Sequence, residues 1–346
     1  MVKLGSISIE PPLINASCAW ASDRDELFAL YQSPYTGAVT TRTATAAGFV
    51  ENASHTVVFS ERSSLNSYGY SPHPLSAYTR WIRDIVRSEP SSTKPFIISI
   101  TSSSPEVLSG MIDSIQALRA ELHDANDPIS RIAVELNTSC PNIIGSAPLA
   151  YNFPAILPLL RVMANHFQSD PSLTLGIKLP PYFYAAQFEE VVQGLLEFSH
   201  PGSGDAAVAQ NAFAFLTCTN TLGSSLMFPE QTRSVPSSEP QRSYALSTPL
   251  GGLAGEAIHS LSLGNVYSFA QLLSGSERAE QSGIAVPLST SLQSIKIIGV
   301  GGVTTPDAVD RMRRAGASVV GCATLLGSEG VGAFEILSGS IEGRTL

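Results

Sequence analysis

Residues 131–144 read RIAVELNTSCPNII. Ile132, Val134 and Leu136 alternate with Ala133 and Glu135, a period of two that suits a strand with a core on at least one side. Asn137 and Pro141 stop the run, and at the stop Cys140 stands between the amides of Asn137 and Asn142. The stretch predicts a buried strand that delivers a reactive loop. A lone cysteine is ordinarily a small buried hydrophobe. Amides beside it add the donors and acceptors that would hold a flat polar heterocycle against a thiol.

Working outward, the same pattern recurs. Apolar runs ending in small or polar residues fall at Leu13–Ser17, Ala38–Thr43, Phe96–Ile100, Ile132–Asn137, Leu175–Leu179, Ala212–Asn220, Ile295–Val300 and Ser318–Cys322. Between them lie amphipathic stretches at Asp23–Tyr31, Leu75–Arg87, Pro105–Leu122, Phe153–Phe167, Ala185–Phe198, Ser260–Leu273 and Asp307–Ala315. Alternation of this kind predicts parallel strands with crossover helices, an α/β fold. Eight units favour a closed (β/α)8 TIM barrel over an open doubly wound sheet, as a single domain over residues 1–346 with inserted loops at its C-terminal face. Ser199–Gln210, Gln231–Thr248 and Ser274–Ser294 read as such loops. Ala44–Tyr78, which contains SLNSYGYSPHP, reads as a structured lid or substrate loop.

Composition narrows the partners. With 43% hydrophobic and 14% charged residues the chain can bury a large core. A net charge of −9 speaks against nucleic acid, which calls for a basic stripe. The four cysteines, Cys18, Cys140, Cys218 and Cys322, form no CxxC pair and have no histidines at zinc-finger spacing, so they read as reduced thiols of a cytoplasmic protein that holds no metal. No apolar run reaches membrane-spanning length and the N-terminus lacks a targeting pattern, so no membrane association is expected.

In a barrel, chemistry collects at the C-terminal ends of the strands. Ser17, Arg42, Thr43, Asn137 to Asn142, Lys178, Asn220, Thr221, Gly301, Gly302 and Thr324 all fall there. IIGVGGV at 297–303 ends in a glycine pair whose backbone N–H groups can approach a phosphate, and GCATLLG at 321–327 can complete that cradle. Lys178 in LGIKLPPYF either snorkels to water or fixes a positive charge beside a ring that becomes negative. GGLAG at 251–255 reads as a flexible loop where backbone must pass close to a ligand or another segment. No Ser-His-Asp elbow, P-loop or HExxH is present, and none of the six histidines sits at a strand end.

With these residues in view, the chain resembles the class 1A dihydroorotate dehydrogenases, soluble FMN-containing barrels that use fumarate. The resemblance spans nearly the whole length through LINAS, SLNSYG, ELNTSCPN, IKLPPYF, TNTLG, GGLAG and IIGVGG. It implies that Cys140 is the general base, and that Lys178 lies at the flavin edge that becomes negative on reduction. It assigns Asn66, Tyr68, Gly69, Asn137, Asn142 and Asn220 to dihydroorotate or orotate. It assigns Ala16, Ser17, Arg42, Thr43, Asn137, Lys178, Thr221, Gly255, Gly301, Gly302, Ala323 and Thr324 to FMN. Fumarate, leaving as succinate, would be the electron acceptor, and the protein would be a homodimer. The pattern departs from the family at Arg42, where the family has lysine, and in YGYSPHP, where it has a shorter turn, which unsettles Ser71 to His73 as ligands. Cys18 and Ala323 stand where it has glycines, and Thr217 and Ser224 where it has asparagines. The competing readings are a flavin reductase for another dihydropyrimidine or an enone, and a noncatalytic flavin-binding paralogue.

Overall fold

Eight strands of mostly β-branched and apolar residues make one parallel sheet: β1 (Leu13–Asn15), β2 (Val39–Thr40), β3 (Phe96–Ile100), β4 (Ile132–Asn137), β5 (Thr174–Leu179), β6 (Phe215–Cys218), β7 (Lys296–Val300) and β8 (Val319–Cys322). The computed structural model describes residues 1–124, 130–140, 142, 148–200, 209–233, 243–275 and 289–339. The strand order is β1-β8-β7-β6-β5-β4-β3-β2, and a parallel bridge between Ile14 and Ala38 joins its two ends. The sheet is therefore a nearly closed barrel, and the open doubly wound alternative falls away.

Helices α1 (Arg24–Gln32), α2 (Leu75–Ser88), α3 (Pro105–Glu121), α4 (Leu157–Ser169), α5 (Ala185–Leu196), α6 (His259–Ser274), α7 (Pro306–Ala315) and α8 (Ala333–Ser338) come after the strands. Their starts are set by local chemistry. Asp23, Ser104 and Thr305 each accept a backbone N–H at the first turn of α1, α3 and α7, and proline opens α3 and α7.

Every residue of β4 is buried, because the strand has a core on both sides. Ile132, Val134 and Leu136 pack outward against helices, in the main core. Ala133 faces the barrel interior with Ile14, Ile97, Phe215, Ile298 and Val319. The hairpin Val2–Leu4/Ile7–Ile9 closes the bottom of that interior with Leu4, Ile7 and Ile9. Phe215 fills the interior beside Gly176, where a Cβ would lie 2.2 Å from its ring. A barrel filled in this way can expose chemistry only at its upper rim.

Several expectations need correction. Gly251–Gly255 is a strand: with Leu222–Ser225, Ser63–Asn66 and Val57–Phe59 it forms a four-stranded antiparallel sheet over the barrel mouth. The anticipated close approach is real, since a Cβ at Gly251 would meet the Asn66 carbonyl at 2.6 Å, but pairing to the excursion after β2 replaces flexibility with a fixed edge. β2 is regular only over Val39–Thr40, although Thr41 and Ala44 still donate to the Ile97 and Ser99 carbonyls. β6 covers only Phe215–Cys218 of the run 212–220. Within the three stretches read as loops, Ser199–His200 pairs with Gln210–Asn211 and Thr290–Gln293 is a short helix; 201–208, 234–242 and 276–288 lie outside the described residues, as do Pro141 and 143–147 of the opening stretch.

Candidate active site

The upper rim of the barrel and the antiparallel sheet line a single cavity open to solvent. Every residue singled out above for catalysis, substrate or cofactor lines it. Seven of the eight strand ends contribute: Ala16 and Ser17 follow β1, Arg42 and Thr43 follow β2, Asn137 ends β4, Lys178 stands in β5, Asn220 and Thr221 follow β6, Gly301 and Gly302 follow β7, and Ala323 and Thr324 follow β8. Asn66 comes from the antiparallel sheet, with Tyr68 and Gly69 just beyond it, and Gly255 ends its neighbouring strand.

The amides form a connected set. Asn137 donates to Thr43 Oγ1 at 2.8 Å and accepts from Asn220 Nδ2 at 3.2 Å. Asn220 also donates to Ser139 Oγ at 3.0 Å. Asn142 donates to Asn66 Oδ1 at 2.9 Å and to the Tyr68 carbonyl at 2.8 Å. The Cys140 thiol points to the same carbonyl, 4.0 Å from it. Below them a hydroxyl ladder runs from Ser17 through Thr43 and Ser99 to buried Glu135, whose second oxygen accepts from Thr217 at 2.6 Å. The ladder holds Thr43 and hence Asn137 in one orientation.

Lys178 is 4% exposed, and its ammonium donates to the Ser17 carbonyl at 3.2 Å. That burial removes the snorkelling alternative, and among the described residues Lys178 makes no ion pair, so its amino group faces the cavity without a counter-charge. Arg42 is equally buried but committed. Its guanidinium pairs with Glu51, donates to the Gly69 carbonyl and Ser22 Oγ at 3.3 Å, and lies 5.2 Å from the Tyr68 ring centre. It ties the loop carrying Tyr68 and Gly69 to the end of β2.

Opposite, Gly301 and Gly302 take φ of +125° and +69°, and a Cβ on either would collide with Ser262 or His259 of α6. Backbone lines this wall because nothing larger fits. Thr324 Oγ1 lies 3.2 Å from Ser64 Oγ, linking the end of β8 to the antiparallel sheet.

Burial pushes the Cys140 thiol above its ordinary range; the Asn142 backbone N–H and the charges of Lys178 and Arg42 pull it back. Burial holds Cys18 at about 11, and Tyr70 at about 12 with the help of the Cys140 charge. Lys178, Arg42 and a backbone N–H, that of Trp20, act on the Cys18 thiol in the same sense, so what sets Cys140 apart is its place beside the Asn142 and Tyr68 backbone rather than its cationic neighbours.

Ser71 and His73 do not line the cavity. Ser71 is fully buried on the Tyr78 hydroxyl and His73 packs on Trp81, which accounts for the longer YGYSPHP turn as structure. Trp20, Ser64, Tyr70 and Thr219 line the cavity without having been anticipated. Ser64 was the findable one, since two residues before Asn66 on one strand it shares that residue's face. Trp20 and Tyr70 carry no local signal.

The chain is similar to known proteins. The family model described as dihydroorotate dehydrogenase matches residues 1–277. A putative dihydroorotate dehydrogenase A (fumarate) of Streptococcus equi subsp. equi is 27% identical over 341 residues, covering 98% of this chain and 91% of that protein. A probable dihydroorotate dehydrogenase A (fumarate) of Streptococcus pneumoniae is 28% identical over 280 residues, covering 81% of this chain and 72% of that one. Among solved structures, an Eimeria tenella DHODH in complex with ferulenol superposes with a TM-score of 0.65 at 15% identity, over 95% of this chain and 80% of that one, a likeness of fold. Among the described residues no helix is long and apolar enough to cross a membrane.

Proposed function

The chain belongs to the dihydroorotate dehydrogenase family of flavoprotein oxidoreductases, and from that premise we propose that it oxidises dihydroorotate to orotate with FMN as cofactor and fumarate as acceptor. The observation that carries this reading is the meeting of Cys140, four amides and an unpaired buried lysine in one cavity with a glycine-lined wall. The residues fit the cofactor. Gly301 and Gly302 present backbone to the cavity, where N–H groups could meet a phosphate, and the buried Lys178 amino group would stand at a ring edge that gains electrons. When bound, FMN would supply the hydride acceptor at one stage and the hydride donor at the next.

Asn66, Asn137, Asn142 and Asn220 would bind the pyrimidine edges and its carboxylate, fixing the ring with C5 toward Cys140. The Cys140 thiolate takes the C5 proton as the hydride leaves C6, and general base assistance of this kind is worth about 10²–10⁴-fold. In the return half Cys140 delivers that proton to fumarate, which leaves as succinate. The Lys178 amino group, facing the cavity, would stabilise negative charge that develops on a bound ring.

We further infer one FMN-binding domain over residues 1–346, a homodimer and a cytoplasmic location, as the resemblance in the sequence implies. Sedimentation of the purified protein tests the assembly state.

An anaerobic titration with dihydroorotate tests the reaction: the flavin band should bleach, and fumarate should restore it. A yellow protein that dihydroorotate leaves unchanged would point to another dihydropyrimidine or an enone, a reading favoured by Arg42 and its pairing with Glu51. Turnover with no substrate of either class would leave a flavin-binding paralogue.

A further inference from the structure

His259 lies behind the glycine wall: it opens α6, is buried, and does not line the cavity. Its Nδ1 is 2.8 Å from the Gly301 carbonyl oxygen, and its Nε2 is 3.0 Å from Arg311 Nε. A guanidinium N–H can only donate. Nε2 therefore accepts, Nδ1 carries the ring proton, and that proton is donated to the Gly301 carbonyl. The two neighbours leave the ring one tautomer.

We propose that His259, held by Arg311, is a positioning residue for the phosphate of the flavin cofactor, acting through the Gly301–Gly302 peptide; this rests on the FMN reading above. In a trans peptide the carbonyl and the N–H point in opposite directions. Anchoring the Gly301 oxygen on α6 turns the Gly302 N–H toward the cavity side, where an anion needs a donor. The restraint matters because both residues are glycines at positive φ, whose peptide could otherwise turn its oxygen inward and repel a phosphate. Burial, with Arg311 close by, pushes the His259 pKa down and keeps the ring in the neutral form this contact uses.

The experiment measures binding of FMN and of riboflavin, which lacks the phosphate, to the full-length apoprotein by flavin fluorescence. His259→Asn can place an amide N–H near the Nδ1 position and should keep FMN affinity within about threefold. His259→Leu, which has no donor, and His259→Gln, whose amide sits nearer the Nε2 position, should weaken FMN by about tenfold or more. Riboflavin affinity should be alike in all four proteins, and that result also shows the variants are folded. Equal FMN loss in the Asn and Leu variants, unchanged FMN affinity in the Leu variant, or a parallel fall in riboflavin binding would each overturn the proposal. Native protein that binds neither flavin would overturn the cofactor reading together with it; native binding without the expected pattern overturns the His259 role alone.

Discussion

On the β7 side the cavity wall is backbone, where Gly301 and Gly302 sit at positive φ against α6 with no room for a Cβ. On the β4 and β5 side it is side chains: Asn137, Cys140, Asn142 and Lys178, of which Asn137 donates to Thr43 Oγ1, Asn142 to the Tyr68 carbonyl and Lys178 to the Ser17 carbonyl. The first wall can recognise only what backbone recognises, an anion's oxygens. The second can choose between heterocycles and can move a proton. Substitutions in the two walls should therefore fail differently, one in binding and the other in rate.

The largest effect should come from Cys140→Ala. Loss of the base should slow anaerobic flavin bleaching by dihydroorotate about 10²–10⁴-fold, while fluorescence titration finds FMN affinity unchanged. A variant that bleaches at the native rate would remove Cys140 from the reaction. On the other wall, Gly301→Ala should act in reverse. Its Cβ would lie 2.0 Å from Ser262 Oγ at a φ of +125°, costing about 1–3 kcal/mol of stability and loosening FMN before any rate is lost. Gly110 in α3 is the control: a Cβ there meets nothing, so Gly110→Ala should raise the melting temperature by the equivalent of about 1 kcal/mol. If both glycine variants melted alike, the tight packing behind the cradle would be disproved.

The two walls also differed in how readable they were. A glycine pair at the end of an apolar run also serves plain turns, so IIGVGG pointed to a cavity wall only together with GCATLLG in the next and final unit. The alternation of eight apolar runs with amphipathic stretches revealed the barrel, because each parallel strand needs a crossover helix to reach the next. GGLAG was harder. Its glycines signalled close approach, but the partner strand Ser63–Asn66 lies nearly two hundred residues earlier in the chain, and no local pattern announces such a pairing. The role of His259 was equally hidden, since its partners Gly301 and Arg311 become neighbours only when α6 packs against β7 and α7. Arg42 could be recognised as a cation at a strand end. That Glu51 holds it is a fact of the loop's path.

That Arg42–Glu51 pair supports the smallest prediction, one that separates field from contact on the side-chain wall. Burial is the main influence on the Cys140 thiol and raises its pKa, so the thiolate is a minor species at neutral pH. With the thiolate as the active form in the proposed reaction, the bleaching rate should climb as pH rises toward that pKa and level off above it. Arg42 is among the groups that pull the pKa down. Arg42→Gln removes that pull and should move the profile to higher pH. Glu51→Gln leaves the guanidinium without its counter-charge, so its field at Cys140 strengthens and the profile should move to lower pH. Opposite displacements arise only if the pair acts on the thiol through charge. A shared displacement would instead mean that both variants loosen the loop carrying Tyr68, whose carbonyl faces the thiol, and so shift Cys140 by position.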